Sequence, residues 1–309
     1  MDTPILSIVI ANYNYGQFLG SAIQSIIDQN AGDDVELIVC DAASTDNSVE
    51  VIKKFSGGLP PNTEREAWQA DARQESTESK CQSMRLISWW CSEADQGQSS
   101  AFNKGFAHAR GQWLTWLNSD ELYAPKVLCA VLKKIRNSPD LQWITGNDCL
   151  FDGESGRIVR ISWGPHFRWR MFNKTRMCAA AFGPSSFFRK DLFYKAGGFD
   201  ETLHYCMDTH LWAKFAMMGI VPGRVLRTCW LCRIQPNSKT FGRQTDETFL
   251  RKRRENEYAK ASTGYEYISS WKNPWYALWM FCRVVDGSLI VRLFRRAKWI
   301  GRDVKRFWS

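Results

Sequence analysis

The chain has 309 residues, 44% apolar and 24% charged, a globular profile that excludes a disordered or collagen-like polypeptide. No run of 18 uncharged apolar residues occurs, so a conventional membrane-spanning helix is not expected. The net charge of +9 is uneven: residues 271–309 hold nine Lys or Arg and two Asp, whereas the first 270 hold 32 basic against 30 acidic side chains.

The apolar run Ile5 to Ala11 has no basic lead-in and reads as a first strand rather than a secretion signal. Ten cysteines are scattered singly, as expected for reduced thiols of a cytoplasmic protein. Gln17 to Gln29 carries apolar residues at helical spacing (Phe18, Ala22, Ile26), Val35 to Cys40 is strand-like, and Asp41 to Asp46 turns into a helix through Phe55. Strand, helix, strand, helix points to an α/β fold built from parallel βαβ units. The pattern lapses over residues 57–85, which read as an inserted surface loop. It resumes with a strand at Leu86 to Cys91, a helix from Gln98 to Ala109 and a strand at Trp113 to Leu117. Asn118-Ser119-Asp120-Glu121 follows that strand's carboxyl end, where open α/β sheets bind ligands. A helix (Pro125 to Arg136), a strand (Gln142 to Leu150) and, after a mixed region, a helix from Asp208 to Met218 come next. Cys229-Trp230-Leu231-Cys232 has no second pair at zinc spacing and is better explained by a strand crossing the core.

Several of these segments resemble family 2 glycosyltransferases. Ser7-Ile8-Val9-Ile10-Ala11-Asn12-Tyr13-Asn14 and Asp41-Ala42-Ala43-Ser44-Thr45-Asp46 are similar to the family's first strand and second turn. Ser92 to Gln98 with Asn103-Lys104-Gly105 is similar to a segment of one bacterial branch that builds surface polysaccharides. Trp116 to Tyr123 resembles that branch's metal motif, and Gly197-Gly198-Phe199-Asp200-Glu201 leads to Met207-Asp208-Thr209-His210-Leu211-Trp212, where the family places its catalytic carboxylate. The matches keep the family's order over residues 5 to 240. The resemblance implies a GT-A-type, Rossmann-like, mostly parallel sheet over residues 1–245; residues 246–309 read from their own pattern as a helical C-terminal extension. The resemblance also implies donor contacts at Ala11, Tyr13, Asp41, Asn103, Ser119 and Asp120, and acceptor contacts at Pro184, Ser185 and His210.

The residue types suit those roles. Tyr13 is placed to stack on a nucleobase and Asp41 to accept hydrogen bonds from a base or ribose; ordinary turn chemistry is the alternative for both. Asp120, helped by Asn118, offers hard oxygen donors for Mn²⁺ or Mg²⁺ on a diphosphate, or else caps the next helix. The resemblance departs at Glu121, where a second Asp is commoner, and at Gln235, which stands where many members have a metal-binding histidine; metal dependence is left open. Asp208 is the candidate base of an inverting transfer, with helix capping as the alternative. His210 reads as an acceptor contact or a packing residue. Trp163, Trp169, Arg168, Arg170, Lys174 and Arg176 suit a phosphorylated or lipid-diphosphate acceptor, or a solvated segment.

In the tail, Leu289, Leu293, Ala297, Ile300, Val304 and Phe307 share a helical stripe flanked by basic residues. That pattern suits an anionic membrane surface, contacted from the cytoplasmic side, or a helix packed on the body. Nucleic acid is not an expected partner. The functional expectation is transfer from a nucleotide-diphosphate sugar to a saccharide or lipid-linked acceptor. A protein acceptor, or a sugar-nucleotide-binding scaffold without catalysis, is the alternative.

Overall fold

The computed structural model describes residues 3–65, 87–162, 177–178, 183–236, 238–239, 245–264, 266–267 and 298–308. The chain begins β1 (Leu6–Asn12), α1 (Gly16–Ile27), β2 (Val35–Asp41), α2 (Ser48–Ser56), β3 (Ile87–Ser92), α3 (Gln98–Ala107) and β4 (Trp113–Asn118). This is the expected alternation, with bounds within two residues of those expected. There follow β5 (Leu122–Tyr123), α4 (Val127–Arg136), β6 (Trp143–Asp152), β7 (Ile158–Ser162), β8 (Met177–Cys178), β9 (Ser186–Arg189) and α5 (Lys190–Lys195). The last elements are α6 (Met207–Met217), β10 (Gly223–Ile234), α7 (Asp246–Thr263) and β11 (Glu266–Tyr267).

One nine-stranded sheet has the order β3-β2-β1-β4-β9-β6-β10-β5, with β7 beside β6. Strands β3, β2, β1 and β4 are parallel. Strand β9 runs antiparallel between β4 and β6 and joins this half to the parallel pair β6–β10. The register aligns the carboxyl ends of the first four strands: Asn12 lies opposite Asp41, Asp41 opposite Ser92, and Ala11 opposite Asn118.

Alternation along β1 divides the core. Leu6, Ile8 and Ile10 pack with Leu19 and Ile23 of α1, while Val9 faces Phe102 and Phe106 of α3. The second layer is aromatic: Trp212 of α6 stacks on Trp116 at 5.8 Å and on Trp143 at 5.0 Å. Stiff, fully packed rings therefore fix the position of α6 over the sheet. Gly105 lets α3 approach the sheet, because a Cβ there would overlap the Val9 side chain and press on Cys40. Cys229 and Cys232 are buried in β10, in line with the strand reading of that motif.

Two expectations change here. Residues 60–62 are exposed as expected, but the ends of the stretch 59–65 are anchored: Leu59 is buried and its carbonyl accepts from Trp90 Nε1, while buried Arg65 donates through Nε to the Ile87 carbonyl. The rest of the expected insertion lies outside the described residues, as do Trp163, Trp169, Arg168, Arg170, Lys174, Arg176 and the start of the tail. At the other end, residues 304–307 form a single 3₁₀ turn rather than the end of a helix. Val304 is buried, and Trp299, Ile300 and Phe307 pack on the core. The main chain is pinned too, with Gly301 N donating to Ile158 O and Val304 N to Gly156 O. For this stretch the stripe serves packing on the body. No helix among the described residues is long and apolar enough to cross a membrane.

Replacing Gly105 by Ala overpacks the α3–β1 contact and is expected to cost about 1–3 kcal/mol. The urea midpoint of Gly105→Ala, compared with wild type at unchanged slope, measures it.

Candidate active site

The aligned strand ends open on a cleft of about 1430 Å³, lined by Ala11, Tyr13, Asn118, Ser119, Asp120, Pro184 and Asp208 among others. Seven of the residues singled out in the sequence thus share one space. Tyr13 is 60% exposed and leaves a ring face open beside the end of β1. Asp41 does not line the cleft. Its buried carboxylate accepts from Asn12 Nδ2 (2.7 Å), Ser44 N (3.0 Å), Ser44 Oγ (2.5 Å) and Ser92 Oγ (2.6 Å). It ties β1, β2 and β3 together and holds the turn that presents Ala42 to the cleft.

Around Asp120 the long strand β10 supplies the partners, because its antiparallel pairing with β5 brings Arg233 and Gln235 to the turn after β4. Gln235 Nε2 donates to Asp120 Oδ2 at 2.7 Å, and Arg233 Nε donates to the Asp120 carbonyl at 3.0 Å. The Arg233 guanidinium is sandwiched 4.8 Å from the rings of Phe18 and Phe151. Burial pushes the Asp120 carboxyl above the ordinary range, while Gln235 and Arg233 pull it back. Glu121 is wholly buried, and that desolvation, with the Asp120 charge, pushes it up to about 8.

The donor set was expected to suit Mn²⁺ or Mg²⁺. As arranged it does not fit an ion held by the protein alone. Gln235 turns its amide nitrogen, not its oxygen, to Asp120, and Asn118 Oδ1 accepts from Gln98 Nε2 at 2.6 Å. A guanidinium already stands beside Asp120. No group of three His, Cys, Asp or Glu among the described residues could hold a metal.

Asp208 sits in the first turn of α6, one residue past the first helical position; the cap residue Cys206 makes no side-chain cap bond, and Asp208 itself satisfies one first-turn donor. Its Oδ1 accepts from Thr209 N at 2.7 Å. Its Oδ2 borders the space above Gly183, which it shares with the Trp116 ring. Burial raises its pKa, against the Thr209 bonds and the Lys239 charge.

The other wall is α7, which presents Phe249, Lys252, Arg253, Asn256 and Lys260 to the cleft. Glu255, buried on the same helix, accepts from Tyr205 N (2.6 Å) and Cys206 N (3.1 Å) just ahead of α6. It satisfies the backbone N–H of the cap residue Cys206 and of the residue before it. A boundary at residue 245 therefore separates two parts of one site.

Three expected contacts are occupied elsewhere. Asn103 donates to Phe199 O and accepts from Phe199 N, stapling the turn in which Gly197 and Gly198 take positive φ. The Ser185 hydroxyl donates to Asn147 O. His210 is buried, its Nε2 is 3.2 Å from Ser262 Oγ, and burial lowers its pKa to about 4. None of the three lines the cleft.

The family model described as Glycosyl transferase family 2 matches residues 7–65 and 71–197. The chain belongs to this family. Among curated relatives of this family 2 chain, an uncharacterized glycosyltransferase of Nostoc sp. is 30% identical over 51% of the chain and 42% of the relative. A PGL/p-HBAD biosynthesis glycosyltransferase of Mycobacterium bovis is 27% identical over 65% of each. The chondroitin synthase of Pasteurella multocida is 22% identical over 70% of the chain and 19% of the relative. The chain thus spans less than two thirds of the length of each. Two solved structures share the GT-A-type fold at a TM-score of 0.53. S. aureus TarS 1–349 with UDP-GlcNAc is 14% identical, covering 82% of this chain and 65% of its own. A Pyrobaculum calidifontis mannosyltransferase with GDP-Man and Mn²⁺ is 17% identical, covering 85% and 64%.

Lys239, Tyr205 and the α7 residues were missed in the sequence. The helical spacing of 249, 252, 253, 256 and 260 was there to read, but it lay beyond the expected domain end.

A proton retained by folded Glu121 up to about pH 8, against an ordinary value of 4.5, makes stability fall as pH rises across that window. Glu121→Gln removes the titration. Across pH 5 to 8 the thermal midpoint should fall more steeply for wild type than for the variant, and the difference between the two profiles measures the Glu121 contribution.

Proposed function

We propose that the cleft transfers a sugar from a nucleotide-diphosphate donor to a hydroxyl of a saccharide or lipid-linked acceptor, with inversion. The observation that carries this reading is that Asp208 opens on the same cleft as Tyr13 and the Asp120 turn. A base and ribose fit against Tyr13 at the ends of β1 and β2, and the diphosphate lies toward the turn after β4. Asp208 takes the proton of the acceptor hydroxyl as its oxygen bonds to the anomeric carbon. The bond from that carbon to the phosphate oxygen breaks, and its electron pair leaves with the nucleoside diphosphate. The names of the relatives, a chondroitin synthase and a PGL/p-HBAD biosynthesis glycosyltransferase, support a saccharide or lipid-linked acceptor in surface-polysaccharide synthesis. A divalent cation accompanies the donor in the Pyrobaculum structure; here no step is routed through one.

Asp208→Asn is expected to lower transfer by about 10²–10⁴-fold while leaving donor affinity unchanged. Calorimetry with a panel of nucleotide sugars and a transfer assay together check it. Intact turnover would remove Asp208 as the base. Donor binding without turnover by the wild type on any saccharide or lipid-linked acceptor would favour a protein acceptor or a scaffold. Because burial raises its pKa, the rate should rise with pH through a value above the ordinary carboxylate range.

The tail supports attachment at the cytoplasmic face of the cell membrane by charge. With Val304 buried, the outward side of this stretch carries exposed Lys298, Arg302, Lys305 and Arg306. Each cation near an anionic leaflet contributes about 1 kcal/mol, screened by salt. The protein should co-sediment with anionic vesicles at low salt and be released at high salt. Retention at high salt would mean that apolar residues insert.

A further inference from the structure

The floor of the cleft is acidic, with Asp95, Asp120 and Asp208 all lining it. A diphosphate cannot settle among these carboxylates unless a cation balances them. The side chains at the Asp120 turn are already engaged, Asp120 with Gln235 and Asn118 with Gln98. Positive charge enters from the opposite wall. Lys239 Nζ donates to Gln98 Oε1 at 2.9 Å, and Gln98 in turn donates to Asn118, so the ammonium is tied by one residue to the strand-end turn. Its charge and that of Asp208 act on each other. Lys239 is thus linked to the turn through Gln98, and its charge is felt by Glu255 and by the base. Lys252 Nζ lies 4.9 Å and Lys239 Nζ 5.7 Å from the ring centroid of Tyr205, so two ammonium groups gather on one aromatic side chain of that wall.

We infer that Lys239 holds the donor's diphosphate and takes up the negative charge of the leaving nucleoside diphosphate. The inference rests on the donor reading above and names the phosphate contact of that site. The Gln98 bond keeps the ammonium aimed at the turn before the donor arrives, so little reorganisation accompanies bond breaking. Partial burial lowers the Lys239 pKa to about 8, and an arriving phosphate favours its protonated form. A point charge of this kind does for a diphosphate what a carboxylate-bound ion would otherwise do.

The test is titration calorimetry of the full chain in EDTA with UDP, UMP, GDP and GMP, on wild type, Lys239→Gln and Lys239→Arg, with folding checked by thermal melts. Wild type should bind one diphosphate more tightly than its monophosphate by about tenfold or more, the worth of one hydrogen bond to a charged group. Lys239→Gln should bring the diphosphate down to the monophosphate's affinity and leave the monophosphate unchanged. Lys239→Arg should restore part of the difference. A diphosphate preference that survives Lys239→Gln would overturn the inference and assign Lys239 to another anion, such as a phosphate on the acceptor. A preference that appears only when Mn²⁺ replaces EDTA would overturn it in favour of a metal ion. If folded wild type binds none of the four nucleotides, the donor reading itself falls.

Discussion

Carboxylates that face one partly dry cleft repel one another, and most of the site is arranged around that repulsion. Asp120, Glu121 and Asp208 each feel burial that disfavours their charge, and each is treated differently. Glu121, buried at the cleft's edge beside Asp120, has its pKa raised the furthest. Asp120 is met by the Gln235 amide and the Arg233 guanidinium. Asp208 has only the Thr209 donors and the more distant Lys239, so it is the carboxylate left with its basicity raised and its oxygen exposed to the cleft. That difference separates a structural acid from a base able to take a proton.

The second condition is rigidity. Asp208 is carried by a helix whose Trp212 is wedged into the stack of Trp116 and Trp143. Its start is fixed from the other side by Glu255 of α7. The base is therefore held between an aromatic layer below and a buried carboxylate behind, and neither yields easily to a substrate. The same α7 that supplies Glu255 turns Lys252, Arg253 and Lys260 into the cleft, so positioning of the base and placement of positive charge come from one element.

Several motif residues are legible in sequence for a reason other than contact with ligand. Asn103 lies in a segment shared with relatives, yet its side chain holds the Gly197-Gly198 turn. Asp41 bonds Asn12, Ser44 and Ser92 and so gathers three strand ends. Gly105 is small because α3 must sit close to Val9. His210 is buried against Ser262. Residues that shape a site and residues that line it recur in the same motifs, and only packing separates them. The α7 wall was lost for the opposite reason: it carries no motif and lies beyond the expected domain end.

The sequence by itself determined the α/β alternation, the bounds of the first seven elements, the turn after β4 and the candidacy of Tyr13, Asp120 and Asp208. The elements and the turn are local, set by apolar periodicity and turn chemistry within a few residues, whereas the three candidates rest on the resemblance to the family's motifs. Only the tertiary structure decided that Gln235 donates to Asp120 across more than a hundred residues, that Glu121 is buried beside Asp120, and that Lys239 and α7 close the cleft. It also decided that Val304 and Phe307 pack on the body. Each of these depends on which distant strand or helix arrives beside a residue, and pairing and burial of that kind leave no periodicity in the chain.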